Sequence, residues 1–245
     1  TPSRPPASSV HAVALACLLR WEEGGVFAET LVHREGAALS AADRALLQAL
    51  VMGVLRHFRW LDHLRRELRP GKLEPKGRWL VLLGLCQLFV LDVPDHAAVS
   101  ETVGIAPARL RGVVNGMLRQ AIRQRAEFLE KRDTLPPGLR YSCPEWLVKR
   151  WVGQMGEADT AAMLAWNAQV PPVYARLNPL HPMESIPEAW EPLPDLPLWY
   201  RVSGPLPFEA LKAGQVYVTD PSTRYCIQLL APQPGERILD ACAAP

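Results

Sequence analysis

Apolar residues recur at steps of three and four through most of residues 1–135, and this part of the chain holds only 7 of the 24 prolines. Such spacing places apolar side chains on one face of a helix, and few prolines leave the helices uninterrupted. Residues 136–245 hold the other 17 prolines. We therefore predict an all-α part followed by a part with short elements of mixed type.

The charge divides the chain at nearly the same place. Residues 1–140 carry 20 Lys and Arg against 14 Asp and Glu, whereas residues 141–245 carry 7 against 11. A basic part followed by an acidic part indicates two domains with different partners. The predicted linker is residues 133–142, where Pro136, Pro137 and Gly138 follow one another.

Several helices can be placed in the first part. Ser40 and Asp43 are spaced as a helix cap, and the apolar pattern over residues 47–68 marks one face shared by two helices with a bend. Residues 78–91 are apolar nearly all round and predict a central helix. The last pattern runs over residues 110–129, where Gly116 predicts a close crossing with another helix.

The second part predicts short strands at residues 173–177, 199–202 and 215–219. The Asp220–Pro221 pair opens a helix to about residue 230, and residues 237–241 then predict a further strand. A helix, a turn, a strand and small residues are how a nucleotide-binding α/β sheet begins. Because a lone strand cannot bury its own faces, we expect the chain to be a piece of a longer protein.

The five cysteines are widely spaced, which argues against a disulfide framework and a zinc site. Cys17 and Cys86 lie in apolar helical patterns and are predicted to be core residues. The apolar run at residues 80–91 is too short to cross a bilayer. We expect a cytoplasmic monomer with no metal and no membrane partner.

Two rows of basic side chains follow helical steps. Like charges at this spacing repel one another unless an anion faces them, and arginine suits phosphate because its planar fork binds two oxygens. A solvated face with local acidic partners is the alternative, which the spacing alone favours. The first row is Arg56, Arg59, His63 and Arg66, and the second is Arg111, Asn115, Arg119 and Arg123.

Residues 240–245 read Asp-Ala-Cys-Ala-Ala-Pro. This segment resembles motif I of the RNA cytosine-C5 methyltransferases, cut off after the proline, and further segments are similar to the bacterial Sun/RsmB family of these enzymes. In that family the motif holds the methionine end of S-adenosylmethionine. The further segments are residues 43–47, 53–56, 96–103, 114–119, 218–222 and 230–236.

The resemblance implies a multidomain fold. Residues 1–135 correspond to a NusB-like all-helical RNA-binding domain, and residues 141–234 to a small α/β (α+β) linking domain. Residues 235–245 correspond to the first strand of a truncated Rossmann-like methyltransferase domain. The resemblance further implies that the cofactor is bound by Cys242, Ala243, Ala244 and Pro245.

The implied function is methylation of C5 of a cytosine in 16S rRNA, to which this portion contributes RNA binding and positioning. In the family both catalytic cysteines lie beyond motif I, so we assign no catalytic residue and expect no activity of this chain alone. The resemblance favours RNA contact by the six arginines and leaves open which row makes it. The alternatives are a stand-alone NusB-like antitermination module and a helical protein-interaction module.

Overall fold

The computed structural model describes residues 9–204 and 206–241. They form two compact units that divide after Gln169. The division comes later in the chain than the predicted linker at residues 133–142, because the helices after that segment pack with the first unit. The assignment of residues 1–135, 141–234 and 235–245 as functional domains stays a prediction.

The described part of the first unit is all helical, as predicted from its apolar spacing. Its helices are α1 (Val10–Glu23), α2 (Ala28–Gly36), α3 (Ala41–Arg56), α4 (Phe58–Leu68), α5 (Pro75–Phe89), α6 (Asp95–Gly104), α7 (Ala108–Arg123), α8 (Arg125–Arg132), α9 (Pro137–Arg140), α10 (Glu145–Met155) and α11 (Glu157–Asn167).

Helix α5 is the centre of this unit. Every residue from 79 to 88 is buried, and α1, α3, α4, α6 and α7 all pack against the helix. The prediction of a central helix is therefore confirmed. Burial of one leucine side chain contributes about 1.5–3 kcal/mol, so much of the unit's stability is concentrated around α5.

The predicted cap and bend on either side of α3 are both present. Ser40 Oγ accepts a hydrogen bond from the Asp43 backbone N–H at 3.1 Å and donates one to Asp43 Oδ2 at 2.7 Å. This arrangement satisfies a backbone donor that the first helical turn leaves without a partner. His57 separates α3 from α4 with φ of −107° and ψ of 17°, which is the bend within the shared apolar face.

The prediction of a close helix crossing at Gly116 is wrong, since a Cβ added there would meet nothing within 4 Å. The close approaches occur on other helices. A Cβ added to Gly84 of α5 would lie 2.6 Å from the Leu118 methyl carbons of α7, and one added to Gly53 of α3 would lie 2.9 Å from Cys86 Sγ. Both of these glycines permit tight packing at α5, one by belonging to it and one by facing it.

The predicted linker is packed against the first unit. Within it α9 contacts α4, and Ser142 Oγ accepts a hydrogen bond from the Trp60 backbone N–H at 3.3 Å. Just before it, the Arg132 guanidinium lies 3.9 Å from the centroid of the Trp60 ring. These contacts explain why the boundary between compact units comes after α10 and α11.

The second unit is built on a four-stranded antiparallel sheet of order β2-β3-β1-β4. The strands are β1 (Val173–Leu177), β2 (Glu191–Pro192), β3 (Trp199–Val202) and β4 (Val216–Val218), and α12 (Phe208–Lys212) precedes β4. Val173 pairs with Val202, and Leu177 pairs with Val216. Three of the strands are predicted from sequence; β2 is not, because two exposed residues carry no alternation.

The segment after β4 begins as predicted and then departs from the prediction. Asp220 Oδ1 accepts a hydrogen bond from the Ser222 backbone N–H at 2.8 Å, and a 3₁₀ turn (Pro221–Thr223) leads into α13 (Arg224–Leu230). Residues 237–241, predicted as the first strand of a Rossmann-like sheet, form no strand. No described strand pairs with them, and Ile238 and Leu239 are exposed.

The two glycines on facing helices give opposite expectations when replaced by alanine. Gly84→Ala should lower the free energy of unfolding by about 1–3 kcal/mol, because Leu118 or the helix backbone must shift. Gly116→Ala should raise it by about 0.5–1 kcal/mol, because the added methyl meets open space in a helix. Urea unfolding of both variants checks this, and a neutral Gly84→Ala would show that the α5–α7 approach is not tight.

Candidate nucleic-acid interface

Helices α6 and α7 form the walls of an open groove of about 740 Å³. The two helices are joined by residues 105–107 only, which keeps them side by side. Val99, Val103 and Ile122 give the groove an apolar surface, and its polar wall is formed by Arg111, Asn115 and Arg119 of α7. Three of the four members of the second predicted row therefore meet at one site.

The two groove arginines are oriented by uncharged acceptors. Arg111 Nε donates to the Ala106 carbonyl oxygen at 3.0 Å, and Arg119 Nε donates to Asn115 Oδ1 at 3.1 Å. Neither guanidinium has an acidic partner among the described residues. Both side chains keep their full positive charge while one nitrogen of each is fixed in place.

The one carboxylate that lines the groove is compensated from outside it. Asp95, the first residue of α6, forms an ion pair with Arg125 of α8. This pairing leaves Arg111 and Arg119 as uncompensated charges of the groove, so its potential is positive. Arg125 has no counterpart in either predicted row, and its role is apparent only from the fold.

A buried polar chain fixes α6 against the core. Gln87, 1% exposed in α5, contacts His11 Nε2 through its Oε1 at 3.0 Å and donates from Nε2 to Thr102 Oγ1 at 3.0 Å. Buried amides need such partners, and a satisfied network specifies one arrangement of the helices that it joins. This network sets the position of the α6 wall relative to α5.

Arg123, the last member of the second row, lies outside the groove lining. It occupies the final turn of α7 and is exposed. Its side chain makes no hydrogen bond or ion pair with another described residue. It extends the basic surface by one turn beyond Arg119.

The first row is divided among different surroundings. Arg59, His63 and Arg66 line a smaller cavity of about 390 Å³ beside α4, and Arg56 does not line it. His63 Nε2 lies 3.1 Å from Glu67 Oε1, and Arg66 lies 2.8 Å from Asp62 Oδ2. The structure therefore does not bring the six predicted arginines to one site.

The Asp62 carboxylate, 5% exposed, organises the cluster beside α4. It is paired with Arg65 at 2.8 Å, Arg66 at 2.8 Å and Arg78 at 3.3 Å. Burial raises the pKa of this carboxyl, but the hydrogen bond from Arg65 and the three positive charges outweigh that effect and hold its pKa below the usual value. Sequence spacing hints at the Asp62–Arg66 pair, whereas Arg78 gives no such signal.

His57 lies between the two halves of the first row and is missed by the sequence patterns. It is 9% exposed, and its pKa is lowered to about 4 by burial and then by the positive charges of Arg132 and Arg56. Its Nδ1 atom is buried without a hydrogen-bond partner among the described residues. The imidazole is therefore neutral at physiological pH.

Comparison with known proteins places the chain in a family. Residues 9–123 match the NusB family. Over 230 aligned residues the chain is 39% identical to ribosomal RNA small subunit methyltransferase B of Shigella sonnei (strain Ss046), with 84% of this chain and 52% of that protein covered. By sequence the chain belongs to the family of this methyltransferase. It spans about half the length of the curated relatives that it matches.

Other relatives agree with this assignment. The proteins of the same description from Shigella boydii serotype 4 (strain Sb227) and Escherichia coli (strain K12) are 39% and 38% identical, with the same coverage of 84% and 52%. The crystal structure of PH0851 matches with a TM-score of 0.52 at 16% identity, covering 96% of this chain and 57% of that one. That likeness shows the fold alone.

Cys17 and Cys86 of the helical unit are core residues, as predicted. Burial raises the pKa of the Cys17 thiol to about 11 and that of Cys86 to about 12. Burial also raises the pKa of Cys143, which is partly buried. Because the thiolate is the reactive form, the raised pKa of each thiol disfavours its action as a nucleophile.

The predicted cofactor residues Cys242, Ala243, Ala244 and Pro245 lie outside the described residues. Asp240, just before them, lines a cavity of about 950 Å³ within the second unit, together with Arg176, Tyr217 and Arg224. Arg224 Nε is buried in this unit without a hydrogen-bond partner among the described atoms.

The described residues also bear on membranes and metals. Across residues 9–204 and 206–241, no helix combines the length and apolar character needed to span a membrane. In the same ranges no three His, Cys, Asp or Glu side chains are grouped as metal ligands would be. The absence of metal and membrane partners stays a prediction for the whole chain.

His57 makes the stability of the chain depend on pH. Its folded pKa is about 4 and its ordinary value is 6.5, so the unfolded chain takes up a proton first as the pH falls. Above pH 6.5 both states hold a neutral His57, and the free energy of unfolding is at its full value. As the pH falls from 6.5 toward 4, protonation of the unfolded chain lowers the free energy of unfolding. Between pH 7 and pH 5 we expect a loss of about 2 kcal/mol that depends on His57.

Urea unfolding of the wild type and His57→Gln at both pH values measures that loss. Between pH 7 and pH 5, the free energy of unfolding of the variant should fall by about 2 kcal/mol less than that of the wild type. The exposed His96→Gln is the matched control and should behave as the wild type. Equal pH dependence in the wild type and His57→Gln would contradict the assignment.

Proposed function

We propose that this chain is the RNA-binding and positioning part of an S-adenosylmethionine-dependent methyltransferase that modifies C5 of a cytosine in 16S rRNA. The observation that carries the proposal is the 39% identity to ribosomal RNA small subunit methyltransferase B over 84% of the chain. The substrate position on cytosine and the cofactor follow from the resemblance of residues 240–245 to motif I.

The alternative functions fit the matches less well. A stand-alone NusB-like module would account for residues 9–123 alone, yet the similarity to methyltransferase B continues over 230 aligned residues. A helical protein-interaction module would leave the positive groove between α6 and α7 without a role. The methyltransferase function accounts for both features.

The reaction in this proposal depends on two catalytic cysteines, and in the resemblance neither Cys143 nor the exposed Cys226 matches either of them. Cytosine C5 is a poor nucleophile, so a cysteine thiolate would first add to C6, and S-adenosylmethionine, when bound, would supply the methyl group to C5 and leave as S-adenosylhomocysteine. Loss of the C5 proton would then expel the thiolate from C6. A second cysteine assists release of the product. The resemblance puts both cysteines beyond motif I, and Cys17, Cys86 and Cys143 all have raised pKa values.

The groove between α6 and α7 is the proposed principal RNA contact. Arg111 and Arg119 line it without acidic partners, and Arg123 extends the same surface. The phosphate backbone supplies most of the affinity of such complexes. Arg56, Arg59 and Arg66 form a proposed secondary contact, which is weaker because Asp62 compensates Arg66. We place the protein in the cytoplasm, where ribosomal RNA is modified, as a monomer.

Charge reversal at Arg119 in the groove, or at Arg123 on the surface next to it, tests the RNA contact. Arg119→Glu or Arg123→Glu should weaken binding of a 16S rRNA fragment by about tenfold or more and reduce the dependence of affinity on salt. Lys149→Glu, on the exposed face of α10 and outside the groove lining, is the control and should bind within about twofold of wild type. Fluorescence anisotropy over a salt series gives both quantities. If the affinity for RNA did not depend on salt and was unchanged by Arg119→Glu and Arg123→Glu, the arginines would form a solvated face instead of an RNA contact.

The chain by itself should transfer no methyl group. Incubation with S-adenosylmethionine carrying a labelled methyl group and with unmodified 16S rRNA should leave the RNA unlabelled, because the proposed nucleophile is not among these residues. A full-length relative is the positive control. Turnover by the purified chain would contradict the proposal that both catalytic cysteines lie beyond motif I.

A further inference from the structure

We infer that Arg111 and Arg119 bind two separate phosphates of one RNA strand, and that Asn115 is a positioning residue that aims Arg119 into the groove. The inference rests on the proposed function and specifies its ligand: a run of several nucleotides, longer than a single phosphate or a mononucleotide can provide.

The distance between the two arginines sets the length of that run. Both lie on α7 and line the same groove, eight residues apart. A helix rises about 1.5 Å per residue, so their attachment points are separated by about 12 Å along the axis. Phosphates of one strand advance about 3.4 Å along the helix axis per stacked nucleotide, and they lie farther apart in an extended strand. The two guanidiniums therefore match phosphates that are at most three to four nucleotides apart.

Asn115 fixes the direction of Arg119 without reducing its charge. Its Oδ1 accepts the hydrogen bond from Arg119 Nε at 3.1 Å, one helical turn away. The two terminal nitrogens of the guanidinium remain as donors for a phosphate. Because this side chain is already oriented before RNA arrives, binding removes less of its rotational freedom.

The cluster beside α4 shows the opposite arrangement. There Asp62, a carboxylate, takes the place that the neutral amide has beside Arg119, and it offsets part of the positive charge of Arg65, Arg66 and Arg78. An asparagine oxygen gives the same geometric guidance as a carboxylate oxygen and leaves the charge available to the ligand. This difference identifies Asn115 as part of the binding site.

Substitutions at position 115 separate orientation from charge. Asn115→Asp should lower the slope of log affinity against log salt by about 0.7, the share of one phosphate on a single strand. Arg119→Gln should reduce the slope by the same amount. The double variant Asn115→Asp/Arg119→Gln should have nearly the slope of either single variant. Asn115→Leu should weaken binding several-fold with the slope unchanged. Gln154→Asp, exposed on α10, controls for an added negative charge and should leave the slope as in wild type.

A length series tests the two-phosphate span. Oligoribonucleotides of two, four, six and eight nucleotides should show a steep rise in affinity between two and about five, set by the 12 Å separation. Arg111→Gln or Arg119→Gln should remove the rise. Inorganic phosphate should compete only weakly with the longer oligonucleotides.

The outcomes distinguish this inference from the proposed function. The positioning role would be overturned if Asn115→Asp and Arg119→Gln reduced the salt slope additively, or if Asn115→Asp kept the wild-type slope. Either result leaves the proposed function intact as long as Arg119→Glu still weakens RNA binding. Affinity independent of oligonucleotide length would overturn the two-phosphate span. RNA binding that ignores every substitution at Arg111 and Arg119 would overturn both the inference and the proposed RNA contact.

Discussion

The close contact of Leu118 with Gly84 determines where the second arginine row lies. Because Gly84 has no side chain, the Leu118 methyl groups of α7 lie directly over the backbone of α5. Leu118 and Arg119 are consecutive, so burying the first at this contact turns the second toward α6 and the groove. The groove is thus a consequence of core packing, with Gln87 holding the opposite wall through Thr102.

The chemistry of the acceptor decides which arginines remain available to an anion. Arg65 and Arg66 are paired with the buried Asp62, and Arg78 is shared between Asp62 and Glu22. In the groove, a carbonyl oxygen and an amide oxygen take the place of carboxylates. Two rows that look equivalent in sequence therefore differ in their uncompensated charge, and only the α7 row presents two unpaired guanidiniums in one cavity.

Sequence periodicity predicts what depends on local spacing. The helical character of the first unit, the central helix α5, the Ser40 cap, a bend within the apolar face of residues 47–68 and three of the four strands follow from it. Contacts between distant residues do not: the tight approach is at Gly84 and not Gly116, and Arg125 compensates Asp95 from another helix. The predicted strand at residues 237–241 fails for the same reason, because a strand exists only through its partner strands.

For the candidate site, the sequence pattern predicts the arginines of α7. It does not predict the contacts that orient them and leave their charge uncompensated. Asn115 stands in the predicted row, but its role becomes visible only when its oxygen is seen at Arg119 Nε. The buried thiols show the same limit of the sequence pattern: that Cys17 and Cys86 are core residues is predicted, whereas the rise of their pKa values depends on how completely the fold buries them. In the proposed function, binding and catalysis are divided along the polypeptide, and the geometry of the α6–α7 groove governs the first.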